Sequence, residues 1–234
     1  MFKKIVAIFS IVLPMFASSS WWIDFGASWV PVTVSGFSSS EEFDLSGTTT
    51  YGGSVSSTKI YDMTDMNEQT YTIFNVFTFG YDLYGFFVDG NMGLNSGGGS
   101  IGYHTSFDLG QRVSVGGEIR AGMISMSISS NRYSFYNVSF SPEVITSYQE
   151  AKGFIFFDFS EKKKEDPQNN IVKKTNSKSG IVLEVGYTKF DDDKPNLSVN
   201  GKYKASAWYK GDSVIKVEGG FKMGVYYRFQ RNFL

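Results

Sequence analysis

Residues 213–229, with the sequence SVIKVEGGFKMGVYYRF, decide the fold. Apolar and aromatic residues occupy the odd positions of this segment, and charged residues and glycines occupy most of the even ones. The odd positions are Ile215, Val217, Gly219, Phe221, Met223, Val225, Tyr227 and Phe229. Because successive side chains of a β-strand point to opposite faces, the pattern predicts one amphipathic strand. A tilted strand crosses a hydrocarbon layer with about ten residues, so we interpret this segment as transmembrane, with its apolar face toward lipid.

Residues 222–229, KMGVYYRF, place Gly224, Tyr227 and Phe229 in a recognisable order. The arrangement resembles the C-terminal assembly signal of bacterial outer-membrane β-barrels, in which a glycine precedes two apolar or aromatic positions. The resemblance implies a Gram-negative cell, insertion into its outer membrane and contact with the machinery that assembles such barrels. Residues 230–234 follow Phe229 in this chain, whereas many members of the class end on the final Phe.

The N-terminus has the three parts of a secretory signal peptide. Lys3 and Lys4 form a basic start, residues 5–16 form an apolar run, and small residues precede a cleavage site before Ser20. The apolar run is too short to span a bilayer well as a helix. We therefore predict that residues 1–19 are removed on export and that residues 20–234 form one outer-membrane β-barrel domain.

Composition and patterning narrow the fold and the classes of function. The chain has no cysteine, which excludes disulfides, thiol nucleophiles and cysteine metal sites. Its formal net charge is −1, which gives no support for nucleic-acid binding. Several segments share the alternation of the closing segment, and together they predict an all-β fold, an antiparallel transmembrane up-and-down β-barrel. These segments are 21–34, 84–94, 101–109, 112–128, 146–159 and 181–189. Segment 69–79 is also predicted to be a strand, but its pattern is unclear and does not assign its faces, and residues 80–83 are predicted to form a tight turn.

The number of strands depends on two weaker segments, 132–140 and 199–210. If both are strands, the barrel has ten, and the long polar segments 35–68 and 160–180 both lie outside, with short periplasmic connections. If both are loops, the barrel has eight strands and 160–180 becomes a periplasmic connection. We prefer ten strands and keep eight as the alternative. A soluble secreted barrel is the structural rival, but the assembly signal and the glycines on the polar face favour the membrane.

The polar faces of the predicted strands place charges of both signs inside the barrel. We expect a lumen network formed by His104, Glu118, Arg120, Glu184, Lys222 and Arg228. The other inward charges are Asp24, Asp89, Asp108, Glu150, Lys152, Asp158 and Lys204. Side chains fill the interior of a small barrel, so the pattern indicates a closed core of paired charges. A narrow, porin-like pore for small or apolar solutes is the alternative.

His104, the single histidine of the chain, offers a catalytic alternative. Ser106 shares its face, and a turn near Gly110 puts Glu118 almost opposite it. Ser106 as nucleophile, His104 as base and Glu118 as the orienting acid would form a triad. The spacing resembles that of outer-membrane lipid A deacylases and implies a lipid A-modifying hydrolase, although Phe107 stands where that family has Asn. Matches this short often arise by chance, and a histidine within a polar network is the simpler interpretation.

The sequence therefore predicts a non-enzymatic outer-membrane barrel without catalytic, metal-binding or cofactor-binding residues. Its function is expected in the loops 35–68 and 160–180, which would meet the environment or a host, because exposed loops on a rigid scaffold often carry function. The expected partners are outer-membrane lipid, the assembly machinery and an extracellular ligand of these loops. No nucleic acid is expected among them.

Overall fold

The computed structural model of the protein describes residues 19–48, 51–128, 133–135, 138–160, 177–200 and 205–233. Residues 1–18 of the predicted signal peptide and 161–176 of the predicted loop 160–180 lie outside them. The described residues form fourteen β-strands and one short 3-10 helix, and none of their helices has the length and apolar character to cross a bilayer. The elements are β1 (Ser19–Ser35), β2 (Glu41–Thr48), β3 (Ser54–Tyr61), the 3-10 helix (Thr64–Met66), β4 (Gln69–Leu83), β5 (Phe86–Gly93), β6 (Ser96–Asp108), β7 (Val113–Ser127), β8 (Tyr133–Phe135), β9 (Val138–Asp158), β10 (Ser177–Phe190), β11 (Asn196–Asn200), β12 (Ser206–Tyr209), β13 (Lys216–Glu218) and β14 (Phe221–Phe233).

Eight of the described strands pair into a closed antiparallel ring. Starting from β1, the order is β1, β4, β5, β6, β7, β9, β10 and β14, and β14 pairs with β1 again. Closure gives each ring strand a hydrogen-bonded neighbour on both sides and so removes the unpaired edges of an open sheet. The predicted all-β, antiparallel class is confirmed, whereas the preferred count of ten strands is not.

The described parts of the two segments on which the count of ten depends lie beyond one end of the ring. In segment 132–140, β8 forms a hairpin with the start of β9. Segment 199–210 is divided between β11, which pairs with the start of β9, and β12, which pairs with β2. These strands are three to five residues long, which is too short to run the length of the ring.

A ring of eight strands also changes where the long connections leave it. The register aligns Asp158, Gly180, Arg228 and Asp24 on four neighbouring strands, close to the start of β1 and the end of β14. We call this the terminal end of the ring. The connection after β9 starts here, whereas the connection after β1 leaves from the opposite end. The expectation that 35–68 and 160–180 share one side depends on ten strands, and the ring does not support it.

Side chains of the ring strands alternate between the interior and the outer surface, as the sequence predicts. On β1, for example, Asp24 is buried inside the ring and Phe25 is exposed outside it. The outer surface is therefore apolar and aromatic on all eight strands. Its large exposed side chains are Phe25, Trp29, Phe74, Phe79, Tyr81, Leu83, Phe86, Val88, Met92, Ile101, Phe107, Ile119, Met123, Ile155, Leu183, Val185, Tyr187, Phe221, Met223, Val225, Tyr227 and Phe229.

The unclear sequence pattern of β4 has a structural cause. A register shift between Asn75 and Phe77 leaves one extra residue in β4 opposite β5. Such a bulge moves the following side chains to the other face. Phe74 and Phe79 are an odd number of positions apart, yet both are exposed on the outer surface.

Residues 213–229 do not form one continuous strand. β13 and β14 both pair with β1, but their registers differ by one residue. The odd positions therefore change faces between the two strands, so that Val217 is buried and Met223 is exposed. Gly219 lies at the shift, where a Cβ would come 1.9 Å from the carbonyl oxygen of Thr188. Two amphipathic strands whose apolar side chains lie on opposite faces of the sheet thus produce one unbroken alternation in the sequence.

A second antiparallel sheet, β12–β2–β3, packs over the end of the ring opposite the terminal end. We call this sheet and the core beneath it the cap. Phe43 and Leu45 of β2 contribute side chains that are fully or almost fully buried. They join apolar side chains from the upper interior of the ring in one cluster, which fills this end of the ring. The cluster includes Val30, Val32, Val34, Met63, Met66, Ile73, Ile124, Met126, Val138, Phe140, Val144, Phe190, Leu197, Ile215 and Val217.

Partly buried hydrogen bonds tie the cap to its connections. Glu41 Oε1 accepts a hydrogen bond from the Ser38 backbone at 2.8 Å, and Glu41 Oε2 accepts one from the Tyr209 hydroxyl at 2.7 Å. The same hydroxyl accepts a hydrogen bond from the Ser213 backbone at 2.8 Å. Burial raises the pKa of Tyr209, so its hydroxyl remains a donor. These contacts hold β12 and the connection after it against β2.

We expect the Gly219→Ala substitution to destabilise the fold by about 1–3 kcal/mol, the usual cost of overpacking. The added methyl group would collide with the backbone of β10 at the register shift. The measurement is the free energy of unfolding of the refolded protein in urea. Gly117→Ala is the control, because a Cβ there would lie 3.8 Å from the nearest atom, the carbonyl oxygen of Lys152. Equal losses for the two variants would contradict the close approach at Gly219.

Candidate functional site

Charged side chains fill the middle of the ring interior. Three cations and four carboxylates form one connected set of ion pairs, which we call the central ionic network, and none of these side chains is more than 7% exposed. Burying a charge is costly unless it is paired, so these side chains depend on one another. The members are Asp89 on β5, Glu118 and Arg120 on β7, Glu150 and Lys152 on β9, Glu184 on β10 and Lys222 on β14.

Arg120 is the centre of one half of the network. Its Nη1 lies 2.9 Å from Asp89 Oδ2, and its Nε donates a hydrogen bond to Glu118 Oε1 at 2.6 Å. The same Nε lies 3.5 Å from Glu150 Oε1. The guanidinium carbon also lies 5.2 Å from the ring centre of Phe87. The planar, multivalent guanidinium suits this position because it contacts three carboxylates and an aromatic face at once.

Glu184 is the centre of the other half. Lys152 Nζ donates a hydrogen bond to Glu184 Oε2 at 2.6 Å, and Lys222 Nζ lies 3.1 Å from Glu184 Oε1. Lys222 also donates to Glu150 at 3.0 Å, and Lys152 Nζ lies 3.5 Å from Glu118 Oε1. The ion pairs therefore join the two halves in a closed circuit.

The register of neighbouring strands places these charges together. On β7 and β9, Glu118 lies opposite Lys152, and Arg120 lies opposite Glu150. Directly opposed residues of antiparallel strands have adjacent side chains. Two consecutive inward positions on each strand thus carry complementary charges, which sets the network at one level of the ring.

The residues of the predicted assembly signal divide between the two surfaces of β14. Gly224 faces inward opposite Glu184, and a Cβ there would come 2.8 Å from Glu184 Cγ. The glycine leaves room for this carboxylate, which also accepts a hydrogen bond from the Tyr226 hydroxyl at 3.0 Å. Tyr227 and Phe229 lie on the apolar outer surface.

A separate ion pair joins the first and last ring strands. Arg228 on β14 donates from Nε and Nη2 to the two carboxylate oxygens of Asp24 on β1, at 2.7 Å each. The Arg228 guanidinium carbon also lies 5.5 Å from the ring centre of Trp22. Bidentate pairs of this kind are among the stronger charge-assisted hydrogen bonds. The pair therefore fixes the seam at which the ring closes.

His104 on β6 makes its ion-pair contact with a neighbouring aspartate. Its Nε2 lies 3.0 Å from Asp82 Oδ2 on β4. The His104 ring also lies near two buried aromatic rings, with centroids 6.2 Å from Trp22 and 5.8 Å from Phe87. The histidine is thus held between a carboxylate and aromatic faces at the lower side of the central ionic network.

The predicted triad is adjacent in register but is not assembled. Glu118 lies directly opposite His104, as the hairpin geometry predicts. Its carboxylate, however, accepts from Arg120 and contacts Lys152. Among the described residues, no hydrogen bond joins Ser106 to His104. The arrangement provides no activated serine nucleophile.

The six predicted lumen residues therefore fall into three groups. Glu118, Arg120, Glu184 and Lys222 meet in the central ionic network, whereas His104 and Arg228 form separate pairs. The sequence also indicates that Asp89, Glu150 and Lys152 face inward, but not that they join this network. Asp82 is missed because the segment around it reads as a turn, although Thr78, Gly80 and Asp82 continue the inward alternation of β4. The predicted inward residue Lys204 lies outside the described residues.

Two cavities lie on either side of the charged layer. A cavity of about 30 Å³, bounded by the network and by Val30 and Ile73 of the cap core, lies above it. A larger cavity of about 510 Å³ lies below it, at the terminal end. We call the larger one the vestibule. His104, Asp108 and Lys178 contribute to its lining. Among the described residues, the interior is therefore filled at the cap end and through its middle, and the vestibule is the larger of these two cavities.

Comparison with known proteins adds no assignment to this geometry. The chain matches no known protein-family model and no curated protein. Within the described residues, no group of three or more histidine, aspartate or glutamate side chains is arranged to hold a metal ion.

We expect Glu184→Gln to lower the free energy of unfolding by about 3–5 kcal/mol, because it leaves Lys152 and Lys222 buried with fewer carboxylates. Urea unfolding of the refolded protein measures this loss. The double variant Glu184→Gln/Lys222→Met should recover part of it, since the orphaned cation is also removed. Glu42→Gln is the control on the cap surface, where the exposed pair with Lys210 should contribute at most about 1 kcal/mol. A similar loss for Glu42→Gln and Glu184→Gln would contradict the role of the network.

Proposed function

We propose that this chain is an eight-stranded outer-membrane β-barrel that acts as a non-enzymatic scaffold and presents its cap to the cell's surroundings. The outer surface of the ring carries this proposal. Large apolar side chains are exposed on every ring strand, while charged side chains are paired inside. Monomeric soluble proteins rarely expose continuous apolar surfaces of more than a few hundred Å². A hydrocarbon layer is the environment in which such an apolar surface is stable, so outer-membrane lipid is the proposed partner of the ring's outer surface.

The extent of the apolar surface supports a membrane span. On β1 the outward side chains from Trp21 to Trp29 cover about 26 Å along the strand, at ~3.3 Å per residue. These nine residues are close in number to the 9–11 residues that a transmembrane strand uses. Farther toward the cap, the outward positions become polar, as at Thr33 on β1 and Lys189 on β10. The polar boundary marks the level at which the ring would leave the hydrocarbon.

The proposed orientation follows from export and assembly. Residues 1–19 would direct the chain across the inner membrane, and the signal at Gly224, Tyr227 and Phe229 would engage the assembly machinery. In bacterial barrels the connections on the periplasmic side are the short ones, and the longer ones face outward. The connection 36–68, which contributes β2 and β3 to the cap, would then face the surroundings. The segment 160–180 would then face the periplasm as one long connection among short ones, so an external ligand is expected at the cap alone.

The interior supports a closed scaffold in preference to the two rival functions. A pore needs a continuous aqueous path, but apolar side chains fill the cap end and paired charges fill the middle. A lipid A hydrolase would need Ser106 activated by His104, but His104 contacts Asp82 instead. The cap is consequently the part of the molecule with surface available for interaction.

Arginine substitutions on the outer surface test the membrane proposal. Val185 is 64% exposed and lies near the middle of the apolar surface of β10. In lipid vesicles we expect Val185→Arg to lower the free energy of unfolding by about 2–4 kcal/mol, the cost of a cation near the bilayer centre. Urea titration of folding in vesicles measures it. Thr33→Arg, on the polar part of the same surface, is the control and should cost less than about 1 kcal/mol.

Two results would overturn the membrane proposal. One is a refolded wild-type protein that stays monomeric in buffer without detergent or lipid. The other is an equal, small effect of Val185→Arg and Thr33→Arg, which would mean that both positions face water.

The closed interior predicts that the protein does not conduct ions across a bilayer. In planar bilayers, we expect the refolded protein to show no steady conductance over a range of voltages and salt concentrations, because the apolar core of the cap blocks the path. Steady openings that change size in Glu118→Gln or Arg120→Gln variants would instead establish a pore with an ionic constriction.

A further inference from the structure

The vestibule at the terminal end has the dimensions of a ligand site. Its volume of about 510 Å³ lies within the range of about 300–1,000 Å³ that small-molecule sites occupy. Phe154 and Phe156 contribute apolar surface to its lining, and both belong to a small buried cluster with Val182 and Tyr226. The cavity therefore combines a firm apolar wall with polar side chains.

Two charged groups in the vestibule lack an ion-pair partner among the described residues. Lys178 on β10 makes no ion pair there. Asp108 on β6 accepts one hydrogen bond, from the Ser114 hydroxyl at 2.5 Å, but contacts no cation. Among the other lining charges, Arg228 pairs with Asp24, and Asp82 Oδ2 lies 3.0 Å from His104 Nε2. Among the described lining residues, Lys178 is thus a cation and Asp108 an anion without an ion-pair contact, and we call these two the free charges.

The free charges lie too far apart to neutralise each other. β7 and β9 separate β6 from β10 in the ring. The register also sets Asp108 at the level of Val182, four residues along β10 from Lys178. Three strand spacings of ~4.8 Å and four residues at ~3.3 Å place the two Cα atoms roughly 20 Å apart along the wall. A ligand that carries both charges at its two ends would bridge this gap and pair both groups.

We propose that the vestibule binds a short peptide with free termini and apolar side chains. The peptide carboxylate would meet Lys178 Nζ, its terminal ammonium would meet Asp108, and its side chains would contact Phe154 and Phe156. Ser106, which also lines the cavity, would supply a hydroxyl to the peptide backbone. This inference goes beyond the scaffold role proposed above and does not depend on which compartment the vestibule faces.

The test uses the full chain refolded in detergent, with leucyl-leucine as the probe in isothermal titration calorimetry. We expect saturable binding of one molecule. Lys178→Met and Asp108→Asn should each weaken binding at least tenfold. Leucyl-leucinamide lacks the carboxylate that would meet Lys178. Its affinity should therefore be unchanged by Lys178→Met and lowered by Asp108→Asn. N-acetyl-leucyl-leucine lacks the terminal ammonium, so its affinity should be lowered by Lys178→Met and unchanged by Asp108→Asn.

The reciprocal pattern separates specific pairing from damage to the fold. Lys189→Met and Asp192→Asn are the matched controls, because they change the same charges near the cap end, and both should bind leucyl-leucine as the wild type does. The proposal is overturned by the absence of saturable binding to the wild-type protein. It is also overturned if the two variants lose affinity equally for all three ligands, or if neither variant loses affinity at all.

Discussion

The pairing of buried charges is the constraint on which the ring depends. The central ionic network takes side chains from β5, β7, β9, β10 and β14. The Asp24–Arg228 pair adds β1, and the His104–Asp82 pair adds β4 and β6. Every ring strand therefore contributes a side chain to an interior contact with a carboxylate. A slip of one residue in any strand would turn its charge outward and leave a partner unpaired, so the charges specify the register.

The interior is divided into layers with different energetic roles. At the cap end, apolar side chains supply hydrophobic stabilisation in proportion to the surface that they bury. In the middle, desolvation offsets much of the attraction between the charges, so the network contributes to a unique structure more than to net stability. The vestibule at the terminal end is left hollow. The layers separate the surface at the cap from the cavity at the other end.

The sequence predicted which face of a strand each side chain occupies better than it predicted which strands form the ring and which charges pair. Alternation identified which side chains of β1, β5, β6, β7 and β14 face inward, because that pattern depends on backbone geometry alone. It did not reveal the register shift at Gly219, because two half-strands with exchanged faces keep the same alternating pattern. It also did not separate ring strands from the short strands β8, β11 and β12, because the segments 132–140 and 199–210 that contain them have a similar alternating pattern. The partners of each charge depend on register across strands distant in sequence, as for Lys222 and Glu150, and no local pattern encodes these.

The seam between β1 and β14 has a consequence for how the chain reaches its final state. Eleven residues of β1, from Ser19 to Trp29, pair with β14, so the two ends of the described chain are direct neighbours. Joining them closes a loop of nearly the whole chain, and such closure has a large entropic cost that is met only by contacts formed late. The nascent chain cannot complete the ring before its last strand is available. An open, edge-exposing intermediate therefore precedes closure of the ring, and its exposed edges favour aggregation until the seam forms.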